Sequence, residues 1–188
     1  LRYERATIPV GYTSEAVNKE VPKQSRHSHG VCNLWILIFI AFIFFNIIAY
    51  FVPKKISKIE IYATCFFAYA YGITTDIIFD LHLHLYGYFQ NGFQWVGLLG
   101  IILYFPAISF LFLNHYPSEK KVTQKWFYIF LWSLFAVIFE WLSVKAGYFY
   151  YNGWKLWYSG ALYPPIFLSL VVNHKLVKGL IKRFQNSF

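Results

Sequence analysis

The chain has 188 residues, 58% of them hydrophobic, 23% aromatic and only 13% charged, with a formal net charge of +9. Soluble domains are roughly 45–50% apolar and about 25% charged, so these few polar residues cannot coat a water-facing core. The apolar residues fall in long blocks rather than at amphipathic spacing, which excludes an ordinary soluble fold and predicts an all-α, multi-pass membrane protein.

Residues 1–30 read as a polar, disordered tail carrying turn formers and mixed charge. His27 and His29 belong to that solvated tail. The apolar block after it is too long for the core of a secretory signal and has no small-residue cleavage site. The chain starts at Leu1 and contains no Met, which reads as a fragment or a non-standard start.

A single helical transmembrane domain is expected over 31–188, with about five spans near 31–52, 59–81, 95–113, 126–144 and 160–177. Pro53-Lys54-Lys55 stops the first, and Pro106 lies inside the third. The fifth reaches spanning length only if Lys175 and Lys178 snorkel to the interface. Trp35, Trp95, Trp126, Trp141, Trp154 and Trp157 sit near span ends, as an aromatic belt would. Cys32 and Cys65 read as small hydrophobes in packed helices, with no metal-binding spacing.

The basic residues flank the apolar blocks, where they set orientation and meet anionic lipid head groups. No nucleic-acid-binding motif is present, and nucleic acid is not an expected partner. The 53–58 loop, the 114–125 loop and the C-terminal segment carry ten Lys and Arg. The tail and the other two loops carry seven. This imbalance predicts a cell-membrane protein with a cytoplasmic C-terminus.

Two halves of the chain share an order of features. One reads D-LHLHLY-GYF-Q-NG-FQW and then LYFPAISFLFLNH; the other reads E-WLSVKA-GYF-YY-NG-WKLW and then LYPPIFLSLVVNH. Asp80 precedes Gly87, and Glu140 precedes Gly147, by the same interval. Tyr104 corresponds to Tyr163. Spans two and three would then repeat as spans four and five in parallel orientation, with Asp80 and Glu140 at equivalent places.

The segment TTDIIFDLHLHLYGYF sets two acids and two imidazoles close together in an apolar region. Asp76, Asp80 and His84 are four residues apart, so a continuous α-helix would align them on one stripe. His82 and His84 would face opposite ways on that helix, and no recognised metal spacing is present; neither a metal nor a cofactor is expected. The plainest reading is structural: Glu140 pairs with Lys145 or His84 and orients helices. The sharper reading is an outward-facing pocket with Asp76, Asp80 and Glu140 as its acidic floor and His84 as a neighbouring pocket residue. Tyr88, Tyr148 and Trp154 would form its aromatic rim, with Thr74, Thr75 and Asn46 adding hydrogen bonds. Such a pocket would bind, sense or pass a small solute or ion. The alternatives are carboxylate acid–base chemistry on a lipid or isoprenoid, and a structural or interaction subunit. No catalytic motif is present, which favours a non-enzymatic role.

FEWLSVKAGYFYYNGW loosely resembles the Glu-Trp helix and glycine-aromatic loop of heterodimer-type lycopene cyclases. Those enzymes carry acids after the following proline, where Tyr163-Pro164-Pro165-Ile166-Phe167 has none. The blocks NIIAYFVPKKISKIEIYAT, GYFYYNGWKLWYS and NHKLVKGL resemble a family of small multi-pass membrane proteins of spore-forming Gram-positive bacteria, over about Asn46–Leu180. That resemblance implies a bacterial plasma-membrane protein and carries no activity, substrate or catalytic residue with it.

Overall fold

The computed structural model describes residues 34–89 and 95–187. The expected polar tail, His27, His29, Cys32 and the first Asn-Gly pair, Asn91-Gly92, lie outside the described residues. Five α-helices carry most of the fold: α1 (Trp35–Phe51), α2 (Lys58–Asp76), α3 (Trp95–Asn114), α4 (Val122–Lys145) and α5 (Leu156–Gln185). A π-helical turn, Ile77–His82, continues α2, and the strands β1 (Tyr86–Tyr88) and β2 (Phe149–Tyr151) form a small ribbon. By length and composition, three of these helical stretches can cross a membrane: Lys58–His82, Trp95–Asn114 and Val122–Lys145. The helices run past several expected span ends, most of all α5, which adds four residues before Gly160 and eight after Val177. Ends of apolar runs mark where a bilayer would stop; backbone hydrogen bonding carries a helix further.

Ser57 starts α2 with a reciprocal cap: its hydroxyl accepts from the Glu60 N–H at 3.3 Å, and Glu60 Oε2 accepts from the Ser57 N–H at 2.7 Å. From Glu60 the buried face of α2 advances by fours through Thr64, Ala68, Gly72 and Asp76. Small residues at 68 and 72 allow close approach. The Phe105 ring of α3 sits over Gly72 so closely that a Cβ there would lie 2.7 Å from it. Near the start of α2, Glu60 Oε1 faces His174 Nε2 of α5 at 3.3 Å. The Cys65 thiol is free and lies 3.7 Å from the Pro106 carbonyl.

The α1–α2 and α3–α4 connections and the C-terminal half of α5 share one end of the bundle. Asn114, at the foot of α3, ties two of them together. Its Oδ1 accepts from the Lys55 N–H at 2.7 Å, and its Nδ2 donates to the Pro53 carbonyl at 3.0 Å. The Tyr128 hydroxyl of α4 donates to the Phe112 carbonyl at 2.8 Å. Above this latch Phe112, fully buried, meets Phe167 at 4.7 Å between ring centroids, and Leu170, Val171 and Ile129 complete the packed core.

Toward the ribbon end α3 and α4 are bridged by rings from α1. Phe45 meets Phe135 and Phe139 edge-on, and Phe42 meets Tyr104 and Phe139. Asn46 Nδ2 holds α1 to α3 by donating to the Leu103 carbonyl at 2.9 Å while also reaching the Phe42 carbonyl. The outer surface is apolar, with Phe44, Tyr62, Phe66, Phe127 and Phe130 all more than half exposed.

Asn114 is 2% exposed and satisfies two backbone groups at once. Asn114→Ala leaves both without that partner and should cost about 1–3 kcal/mol. Denaturant unfolding in detergent measures this; Ser118→Ala in the same connection, where the side chain is exposed, should change little.

Candidate functional site

A cavity of about 300 Å³ lies between the packed core and the ribbon, with walls from all five helices. Its lining is mainly aromatic. Phe42 comes from α1, Tyr104 and Phe105 from α3, and Phe139 from α4; Tyr86, Tyr88, Tyr148 and Phe149 hang from the ribbon side, and Trp154 stands before α5. Tyr104 stacks flat on Phe139, 5.1 Å between centroids and 8° between planes. Two carboxylates enter this apolar chamber, Asp76 from α2 and Glu140 from α4, and among the described residues no Lys, Arg or His lines it.

Hydroxyl groups answer the two charges. Asp76 Oδ1 accepts from Tyr86 at 2.7 Å, and Oδ2 accepts from Tyr88 at 3.0 Å. Glu140 Oε1 accepts from Tyr151 at 2.6 Å and from Ser159 at 2.7 Å, while Oε2 accepts from Tyr163. Trp154 extends this second set by donating its indole N–H to Ser159 Oγ at 2.8 Å. Burial first, and then the charge of Asp76, push the Tyr86 and Tyr88 hydroxyls far above the usual phenol range. Burial and the bond to Glu140 do the same for Tyr151. These phenols therefore stay protonated and keep donating at any physiological pH.

The ribbon delivers most of those donors. β1 and β2 pair antiparallel, Tyr86 with Tyr151, Gly87 with Tyr150 and Tyr88 with Phe149. The Phe89 N–H adds a bond to the Tyr148 carbonyl at 3.2 Å. Asn152 and Trp154 both donate backbone N–H groups to the Leu85 carbonyl, and Asn152 Nδ2 donates to the His84 carbonyl. So the two glycine-aromatic segments clasp each other, and the clasp aims three tyrosine hydroxyls at two acids. Space is tight: a Cβ at Gly87 would lie 2.5 Å from the Tyr150 hydroxyl, and one at Gly100 would overlap the Tyr148 hydroxyl.

Of the residues expected to form the pocket, Asp76, Glu140, Tyr88, Tyr148 and Trp154 line the cavity, and Asp80 and His84 do not. The expectation of one Asp76–Asp80–His84 stripe fails at the π turn. Its i→i+5 bonds, including Leu83 N–H to the Ile78 carbonyl, widen the turn so that residues four apart no longer stack. His84 then takes a left-handed backbone, φ 51°, and is exposed. Asp80 is buried outside the cavity lining. Asp76, rather than Asp80, therefore joins Glu140 in the chamber.

Other expected contacts also change. Glu140 takes hydroxyl partners in place of Lys145 or His84. Thr74 and Thr75 bond back to their own helix, at the Ala70 and Gly72 carbonyls. No motif or spacing in the sequence marks Tyr86, Tyr151 or Ser159 as site residues, and Tyr163 stands out only as the repeat counterpart of Tyr104. Among the described residues no group of three His, Cys, Asp or Glu is close enough to hold a metal ion.

Tyr86→Phe and Tyr88→Phe each remove one donor from a buried carboxylate, with an expected loss of about 1.5–3 kcal/mol. The double variant should lose less than the sum, because the two hydroxyls serve one carboxylate. Thermal unfolding of the three variants checks both points. Comparison with protein-family models, with curated proteins and with solved structures finds nothing that matches this chain, so the chemistry of this cavity is the ground on which its function stands.

Proposed function

We propose that this chain is an integral membrane protein whose central cavity binds a small organic cation, for recognition or for passage. The observation that carries this reading is the pairing of a buried carboxylate, Asp76, and a half-buried one, Glu140, with aromatic walls and, among the described residues, no lining cation. Anionic groups attract an ammonium ion, and ring faces stabilise one by about 0.5–2 kcal/mol each when water is excluded. A hard inorganic ion would prefer a cage of oxygens. Here the carboxylate oxygens are already engaged by hydroxyls, and rings make up most of the remaining surface.

The membrane setting is supported by the three long apolar stretches and the apolar exterior. The end bearing the 53–58 and 114–125 segments and the foot of α5 carries ten Lys and Arg. The ribbon end has two among the described residues, Lys145 and Lys155. On the positive-inside rule the ribbon end faces out and the C-terminus is cytoplasmic. The location is the plasma membrane of a bacterium, in keeping with the family resemblance of the sequence. We also read spans two to five as a duplication. The crossed pairing of the two GYF segments supports it, since Tyr88 meets Phe149 and Phe89 meets Tyr148, as a two-fold axis would require.

The test is a thermal-shift titration of the detergent-purified protein with benzyltrimethylammonium and its uncharged carbon isostere, neopentylbenzene. At about a hundred times its dissociation constant a ligand stabilises the folded state by roughly 2.7 kcal/mol. The ammonium should raise the melting temperature and the isostere should not. Glu140→Gln and Asp76→Asn should each weaken the effect tenfold or more. Equal stabilisation by both compounds, or none by either, defeats the cation reading.

A further inference from the structure

The route into the cavity narrows the class of ligand. Among the residues lining it, Tyr71, Leu162 and Pro165 are the exposed ones; the others are buried or half-buried. Tyr71 is 39% exposed and Leu162 40%. All three belong to α2 and α5, and Tyr71 lies near the middle of Lys58–His82 rather than at either end. Tyr86 and Tyr148, which line the ribbon side, are 9% and 5% exposed. Among the described residues, the most exposed part of the lining lies on the side of the bundle.

This lateral rim adjoins the acids. Tyr71 is one turn before Thr75 and Asp76 on α2. Leu162 precedes Tyr163, whose hydroxyl donates to Glu140. α2 and α5 are joined at their other end by Glu60 and His174. At the rim, Pro164 and Pro165 have no N–H to give the Gly160 and Ala161 carbonyls, which loosens α5 locally. A volume of about 300 Å³ is at the small end for ligand pockets, enough for a head group and too little for a whole lipid.

We propose that the ligand is a membrane-dissolved amphiphile with a cationic head. The head lies between Asp76 and Glu140 among the rings, and the hydrocarbon chain leaves between α2 and α5, past Tyr71 and Leu162, into the acyl layer. This rests on the cation reading above and adds to it the side from which the ligand enters.

The experiment measures binding to the full chain in maltoside micelles, with radiolabelled dodecyltrimethylammonium and tetramethylammonium and with dodecanol as competitor. The two long-chain compounds are compared at equal mole fraction in the micelle. Leu162→Trp, which narrows the rim, should weaken dodecyltrimethylammonium at least tenfold more than it weakens tetramethylammonium. Leu162→Ala, which opens the rim, should retain both, and thermal unfolding of each variant verifies folding. Glu140→Gln should weaken both ammonium compounds. If Leu162→Trp affects neither compound, or both alike, lateral entry is overturned and the cation site stands. If dodecanol competes as well as the long ammonium, the cation reading falls and the amphiphile's charged head falls with it. Binding of neither ammonium overturns both.

Discussion

Two carboxylates held inside an aromatic chamber, with no cation lining it among the described residues, are the constraint around which this protein is arranged. An ionised group removed from water is costly unless hydrogen bonds replace its hydration. Asp76 and Glu140 have five hydroxyl donors between them, from Tyr86, Tyr88, Tyr151, Ser159 and Tyr163. Three of those donors come from the segments joined as the β1–β2 ribbon, and two from the first turns of α5. The ribbon register, the π turn ahead of it and the entry into α5 must all be correct for the acids to be satisfied. That shared dependence makes the ribbon part of the site.

The two ends of the bundle divide the work. Around Phe112, Phe167 and Val171 the core is filled by interlocking rings and branched side chains, and Asn114 fastens the connections below it. This end supplies the rigid frame. At the ribbon end the rings of α1 pack against the stacked Tyr104 of α3 and Phe139 of α4, and the cavity lies beside Phe42, Tyr104 and Phe139. α1 packs beside α3, and among the described residues the exposed lining lies on α2 and α5.

The cation-binding function proposed above calls for a ligand whose charge is spread over an apolar body. Tyrosine hydroxyls fix the carboxylate oxygens in place before any ligand arrives, so little ordering is left to be done on binding. The remaining wall is offered by ring faces, whose negative quadrupole complements a diffuse cation. The same hydroxyls make the acids poor at grasping a small hard ion, because its ligating oxygens would first have to surrender their donors. On the proposed reading, this is why the cavity would take soft, organic charge rather than a metal.

The sequence by itself determined the class of the molecule and its order of helices. A composition this apolar, broken by Pro53-Lys54-Lys55 and by the loops at 114–121, allows little but long helices with an apolar exterior. It also marked Asp76, Glu140, Tyr88, Tyr148 and Trp154, since acids and clustered aromatics stand out in such a chain. Only the tertiary structure decided which residues meet. A regular α-helix stacks residues four apart, and that rule places Asp76, Asp80 and His84 together. The π turn at Ile77–His82 follows no such periodicity, and it parts Asp80 and His84 from the chamber. Tyr151 and Ser159 lie 11 and 19 positions from Glu140, and reach it because the ribbon and α5 fold back over α4. A hydroxyl's partner is fixed by where the chain returns in space, and no local pattern along the sequence records that return.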